Sequence, residues 1–327
     1  MEPVKKPFFS DKPQGERNAY YLLFILTAIS AIFLILFWPQ TRSMDLAVAL
    51  HGLSSRFVEM FFRAVTFLGD DQFFMIFFSI IIWCVNKILG FWSAFMLLSS
   101  ATYSNFIKDL TLLERPALEG VNHPEGSYAF PSGHTLTAVT VWPYMAVRLK
   151  KRGYWIWAAA AIVLIGFSRL VLGYHFLGDI LGGIAFGIPF LCFFLWLSHL
   201  FYSKSWHERF SISLLITLAV VVPLFLTALL PGADPPKILG YLCGASLGYI
   251  IERNKIGMVE KAPFYKQIIK VMIGLAVLFG IIVGLGGVLP SSVVWLGFIR
   301  YALAGVWVTL FAPMVFVALK LSAGKSR

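Results

Sequence analysis

A histidine and an aspartate four residues apart, His175 and Asp179, would share one face of a helix. A carboxylate one turn from an imidazole accepts its ring N–H, fixes the tautomer and leaves the other ring nitrogen the better nucleophile. Arg169 stands six residues before His175, on a separate face of any straight helix. Gly173 between them allows a break, so Arg169 can end one helix and His175 open the next. A second histidine, His134, closes the run "PSGH" that begins at Pro131. Pro131 biases Phe130 to extended geometry, Ser132 is a good N-cap, and Gly133 leaves the first-turn N–H groups approachable. Such a helix start is an anion site. A cap alone accounts for Ser132, but not for an imidazole two positions later. Upstream, "KDLTLLERP" sets Lys108 and Arg115 seven residues apart. On a continuing helix they share a face about 10 Å apart, until Pro116 stops it. Alone, two such cations are equally well explained as snorkelling to lipid headgroups. Taken with the rest, they suit an anion-binding site.

The elements that position these residues are apolar helices. Of 327 residues, 59% are hydrophobic, 16% aromatic and only 13% charged, against about 25% charged in soluble domains. Candidate spans fall at 20–38, 72–88, 90–107, 133–149, 154–172, 176–201, 210–230, 236–251, 267–289 and 294–318. The expected fold is all-α, a polytopic transmembrane bundle. Residues 236–251, short and glycine-bearing, are the weakest span. The run Tyr20–Trp38 is too long for a signal-peptide core and lacks a small-residue cleavage site after it, so it reads as a retained span. "GIIVGLGGVL", from Gly280 to Leu289, suggests close helix packing through small residues. Cys84, Cys192 and Cys243 all lie in apolar runs, with no disulfide or zinc spacing.

The net charge of +11 does not indicate nucleic acid, because the basic residues collect in short loops between apolar runs. Placing Lys5, Lys6, Lys12 and Arg17 in the cytoplasm also puts Lys87, "RLKKR" at 148–152, Lys204, Arg209, Arg253, Lys255, Lys261 and Lys266 there. Lys320, Lys325 and Arg327 finish inside too, while Arg42, Arg56, Arg63, Lys108, Arg115, Arg169, Lys237 and Arg300 fall outside. Both termini are therefore expected inside. Ser54–Gln72 carries Arg56, Glu59 and Arg63 on one helical face and Phe57, Phe61, Val65 and Leu68 on the other, which suits a helix lying in the interface.

This topology brings Lys108, "PSGH", Arg169 and His175 to the non-cytoplasmic face. Unpaired in hydrocarbon, such groups would cost on the order of 10 kcal/mol, so they should line a polar cavity. An anion, best a phosphate, fits it.

Lys108–six residues–Arg115-Pro116, Pro131-Ser132-Gly133-His134 and Ser168-Arg169–five residues–His175–three residues–Asp179 resemble, in order and without departure, the three motifs of the type 2 phosphatidic acid phosphatase superfamily. The resemblance covers roughly residues 20–200, the six-span core of that family, and implies a partition into an N-terminal segment 1–19, a phosphatase core 20–201 and about four added spans in 202–327. It implies catalysis by His175, His134 and Asp179, and phosphate binding by Lys108, Arg115, Ser132, Gly133 and Arg169. The implied activity is hydrolysis of a lipid phosphate or diphosphate through a phosphohistidine. No cofactor is expected, and too few carboxylates cluster with these residues to cage a metal. A lipid-linked phosphotransferase would use the same chemistry, and a soluble sugar phosphate is an alternative substrate. An anion transporter would leave the His175–Asp179 spacing and the second histidine unexplained.

Overall fold

The computed structural model describes residues 14–52, 55–123, 127–203, 210–230, 232 and 234–324. Among these residues there are helices and connecting turns, and no strand. Ser54 and the cations Lys5, Lys6, Lys12, Lys204, Arg209, Lys325 and Arg327 lie outside them. The first helices are α1 (Gln14–Thr41), α2 (Met44–Gly52), α3 (Arg56–Phe67), α4 (Asp71–Ile80) and α5 (Lys87–Thr111). Then come α6 (Gly133–Leu149), α7 (Arg152–Val171), α8 (Leu177–Ser203), α9 (Ile212–Leu229) and α10 (Pro235–Lys255). The last are α11 (Phe264–Phe279), α12 (Val294–Val306) and α13 (Ala312–Ala318), with π-helical turns at Ile81–Val85, Gly280–Gly284 and Trp307–Phe311.

Every expected span overlaps a helix, but among the described residues six stretches are long and apolar enough to cross a membrane on their own. They are Tyr21–Thr41, Arg152–Val171, Leu177–His199, Ile212–Leu229, Phe264–Gly284 and Val294–Ala318. Arg56–Phe67 and Asp71–Val85, bent by 49°, add a seventh if they form one span. Helices α5, α6 and α10 are shorter or less apolar than these. In α6 the hydroxyls of Thr137 and Thr140 bond back to carbonyls three and four residues earlier, and most of its side chains are buried. A helix enclosed by other helices gains from small and hydroxylated side chains, not from bulk facing lipid.

The chain divides into two compact units, Met1–Asp70 with Leu110–Arg209, and Asp71–Asp109 with Phe210–Arg327. Compactness thus cuts the chain differently from the linear partition at residue 201, since 71–109 cluster with the C-terminal helices.

In the first unit α6 packs on both α7 and α8, α1 packs on α8, and α2 and α3 pack on α7. Glycines set the α6–α8 approach. A Cβ at Gly183 would come within 2.9 Å of Thr135 Cβ and 3.0 Å of the Ser132 carbonyl. One turn on, Gly187 lies against Val139 and Leu136 in the same way. This small-xxx-small ridge draws the start of α8 against the start of α6. Helix α3 forms where an amphipathic helix was expected, with Arg63 bonded to Glu59 on its exposed side at 2.7 and 2.9 Å.

In the second unit α10 packs on α9 and α12. Gly240, Gly244 and Gly248 face the carbonyls of Phe298 and Ala302 and the hydroxyl of Thr309. The expectation of close packing at Gly280–Leu289 is corrected here. Gly280, Gly284 and Gly287 have nothing near the position of a Cβ, because that segment unwinds into a π turn and then a loop. The close approach belongs instead to the span that composition rated weakest. Buried polar groups tie the far end of this unit: Lys270 Nζ donates to the carbonyls of Trp83 (2.8 Å) and Glu260 (2.9 Å) and to Ser322 Oγ (3.1 Å). Lys87 pairs with Glu252 at 2.9 Å, and Glu252 also accepts from the Met258 N–H.

Candidate active site

His175 lies in the turn between α7 and α8. Helix α7 ends at Val171, Gly173 takes a left-handed φ of +71°, and α8 opens at Leu177. The expected break at glycine therefore forms, because a positive φ costs glycine nothing. Asp179 sits in the first turn of α8, where the helix dipole favours a carboxylate. Its Oδ2 accepts the Phe176 N–H at 2.9 Å, so the side chain reaches back to cap its own helix. The same oxygen lies 3.3 Å from His175 Nδ1. His175 is 2% exposed and Asp179 0%.

The other ring nitrogen of His175, Nε2, lies 3.2 Å from Arg115 Nη1. A guanidinium only donates. Nε2 must therefore accept, which places the ring proton on Nδ1, toward Asp179. Arg115 also donates to the Tyr174 carbonyl (3.1 Å) and to Ser127 Oγ (3.1 Å). It does so from a loop and not from a helix. The expectation that the Lys108 helix continues to Pro116 is corrected: α5 stops at Thr111, and Leu112 takes a φ of 51°. From there the chain runs beside the segment before "PSGH", with the Ala129 N–H donating to Leu113 O and Thr111 Oγ1 to Phe130 O. Arg115 is thereby freed from any helical face shared with Lys108.

"PSGH" begins α6 as its residue types imply. Ser132 Oγ accepts from the Thr135 N–H (3.5 Å) and hydroxyl (3.1 Å). The Ser132 N–H donates to the Asp179 carbonyl at 2.9 Å, so this amide braces α6 against α8 and is not open to a ligand. His134 Nε2 lies 2.7 Å from Asp70 Oδ1, in the turn after α3. A Cβ at Gly69 would come within 2.8 Å of the His134 ring, so only glycine lets that turn close on the imidazole. Arg169, 8% exposed at the end of α7, donates to Thr66 Oγ1 at 2.8 Å and lies over the Tyr174 ring at 4.4 Å. Its Nε is buried with no hydrogen-bond partner among the described residues.

The first unit thus holds His134, His175, Asp179, Arg115, Arg169, Ser132 and Gly133, linked through Ser132–Asp179, His175–Arg115 and the Tyr174 turn. Lys108 belongs to the second unit, in the last turn of α5. Sequence reasoning missed two partners. Arg42, between α1 and α2, forms an ion pair with Asp179 Oδ1, donates to Glu114 O at 2.7 Å and lies over Phe176 at 4.6 Å. Asp70 is the other. Their only sequence signal was a charge at the end of an apolar run. His123 also lies in the loop after α5, with Nε2 3.0 Å from Pro116 O; burial, then Arg115 and Arg169, push its pKa down.

Comparisons with known proteins now bear on this arrangement. The profile of the PAP2 superfamily matches residues 89–203, and that of the PAP2 superfamily phosphatase, transmembrane extension, matches 236–325. The chain belongs to the PAP2 superfamily. As a PAP2 protein it is a multi-pass integral membrane protein. It is 40% identical over 90 residues to "Phosphatidylglycerophosphatase B" of Bacillus subtilis (strain 168), covering 25% of this chain and 43% of that one. It is 23% identical over 271 residues to "Probable sphingosine-1-phosphate phosphatase" of Dictyostelium discoideum, covering 77% of this chain and 66% of the relative. Against both, the match spans less than two thirds of the relative's length. A crystal structure of a PAP2-type phosphatidylglycerolphosphate phosphatase from Bacillus subtilis aligns with a TM-score of 0.45 at 22% identity, over 59% of this chain and 97% of that one.

Proposed function

We propose that this PAP2 protein is a membrane phosphatase that hydrolyses a lipid phosphate or diphosphate through a phosphohistidine on His175. One observation carries the reading: a buried imidazole has its Nδ1 on a carboxylate and its Nε2 on a guanidinium that could equally hold a phosphoryl oxygen. In the first step Nε2 attacks phosphorus, the bond to the leaving oxygen breaks, and His134 gives that oxygen a proton. In the second, water attacks the phosphohistidine, its proton returns to His134, the P–N bond breaks and phosphate leaves. Asp179 keeps the Nδ1 proton in place, Arg42 orients Asp179, and Asp70 orients His134. Arg115, Arg169 and the amide of Gly133 would hold the non-bridging oxygens, where charge develops. Ser132 shapes that helix start through its cap. Lys108 is assigned to the phosphate on the strength of its motif alone. A lipid substrate is supported by the membrane span content and by the named activities of the two relatives.

The partition into a core at 20–201 with added helices to 327 stays part of this proposal, as do cytoplasmic termini and a site on the opposite face. Metal independence belongs to it too. In support, among the described residues no three His, Cys, Asp or Glu side chains cluster as a metal set. The test is phosphate release by purified protein against phosphatidic acid, phosphatidylglycerol phosphate, a sphingoid base phosphate, polyprenyl diphosphate and a sugar phosphate, with and without EDTA. Rapid quench with labelled substrate should trap an acid-labile phosphoenzyme. Turnover lost to EDTA and restored by magnesium, or steady turnover in His175→Ala, would overturn the mechanism.

A further inference from the structure

The second unit encloses a cavity of about 380 Å³, lined wholly by its own helices. That volume is at the low end of ligand sites, about 300–1,000 Å³. Its walls are one face each of α4 and α5 and the end of α11 with the π turn that follows, represented by Phe74 and Phe78, Leu97 and Leu98, and Phe279 and Ile282. Phe74, Phe78 and Leu97 are buried, whereas Val283, which lines it from the π turn, is 73% exposed. The polar lining is segregated. Asp71 and Gln72 open α4, and Lys237 lies in the first turn of α10, while the following lining residues of both helices are mainly apolar. Lys237 bonds Asp234 at 2.8 Å with both side chains partly exposed, so this end is wet.

We propose that this cavity binds a single-chain amphiphile, its hydrocarbon between α4, α5 and α11 and its polar head among Asp71, Gln72, Lys237 and Tyr301. Water would find few partners along such walls. A void would forfeit the dispersion contacts of every lining side chain. A flexible aliphatic chain meets neither cost. The volume admits one tail and not a pair, and donors and acceptors of both charge signs at the rim fit an alcohol or amine head better than a strongly anionic one. The site is separate from the His175 chemistry, so it stands whether or not the proposed reaction does.

The test uses the purified full chain in nanodiscs with a hexadecyl alcohol carrying a mid-chain diazirine, followed by peptide mapping of photoproducts. Crosslinks should concentrate on 74–78, 97–101 and 279–283. Filling the cavity with Ala101→Phe should cut that yield about tenfold, and the catalytically silenced His175→Ala should leave it unchanged. Ala94→Phe is the second filling variant, and monodisperse elution reports folding for both. If neither folds, the positional map of the unsubstituted protein decides. Crosslinks spread equally over α9 and the cavity helices, or unmoved by a folded filling variant, would overturn the proposal.

Discussion

Both compact units bury charged side chains, but they spend them differently. In the second unit Lys270 is fully buried and its ammonium meets two carbonyls and a hydroxyl, and Lys87, Glu252 and the Met258 amide close on one another. These groups join helix ends and loops, and their bonds are all internal. In the first unit Arg115 meets the unprotonated nitrogen of a histidine, whereas a buried guanidinium Nε without a partner among the described residues occurs in both units, at Arg169 and at Arg300. Buried charge is therefore no mark of a site by itself. What sets the first unit apart is a guanidinium on the bare nitrogen of an imidazole whose other nitrogen meets a carboxylate, the arrangement on which the proposed reaction rests.

The largest effect should separate the units outright. His175→Ala should lower phosphate release by about 10⁴-fold or more with little change in thermal stability. Lys270→Met should do the reverse, keeping kcat while costing about 2 kcal/mol, because buried carbonyls lose their donor. Activity and melting curves on both variants decide, and a Lys270 variant that is stable but inactive would erase the contrast. Within the first unit, Arg42→Gln and Asp70→Asn should each reduce kcat about 10–100-fold, since each orients a working side chain without touching phosphate. Asp70→Asn should also shift the pH profile, which a purely structural role would not do.

Glycine supplies a finer comparison inside the second unit. Gly244→Leu should abolish folded yield, since even a Cβ there collides with the Ala302 backbone. Gly280→Leu has open space and should stay within about 0.5 kcal/mol of the parent. The smallest effect is expected at His123. Its folded-state pKa is lowered, chiefly by burial, so the unfolded chain takes up the proton more readily. Stability should then fall as pH drops below the ordinary histidine value of 6.5. His123→Asn should remove that component from melting curves measured across this range.

The local motifs were legible because each works over a few residues. A cap at Ser132, a break at Gly173 and a one-turn His175–Asp179 relation follow from helix geometry, and the structure forms all three. Two local readings failed where distant chain intervened. Arg115 left the helix of Lys108 because residues 111–113 bond to 129–130, and the close-packing glycines lie in α10, where another backbone crosses them, not at 280–289.

The sequence by itself determined an all-helical membrane chain and its local features, the Ser132 cap, the Gly173 break and the His175–Asp179 relation on which the proposed reaction draws, since hydrophobic run length and short-range spacing carry that information. Tertiary structure alone decided which carboxylate meets which cation. Arg42 reaches Asp179 across 137 residues, and Asp70 reaches His134 across 64. Nothing in a one-dimensional pattern encodes such pairs, because an ion pair depends on distance in space, and that distance is set by how the helices pack.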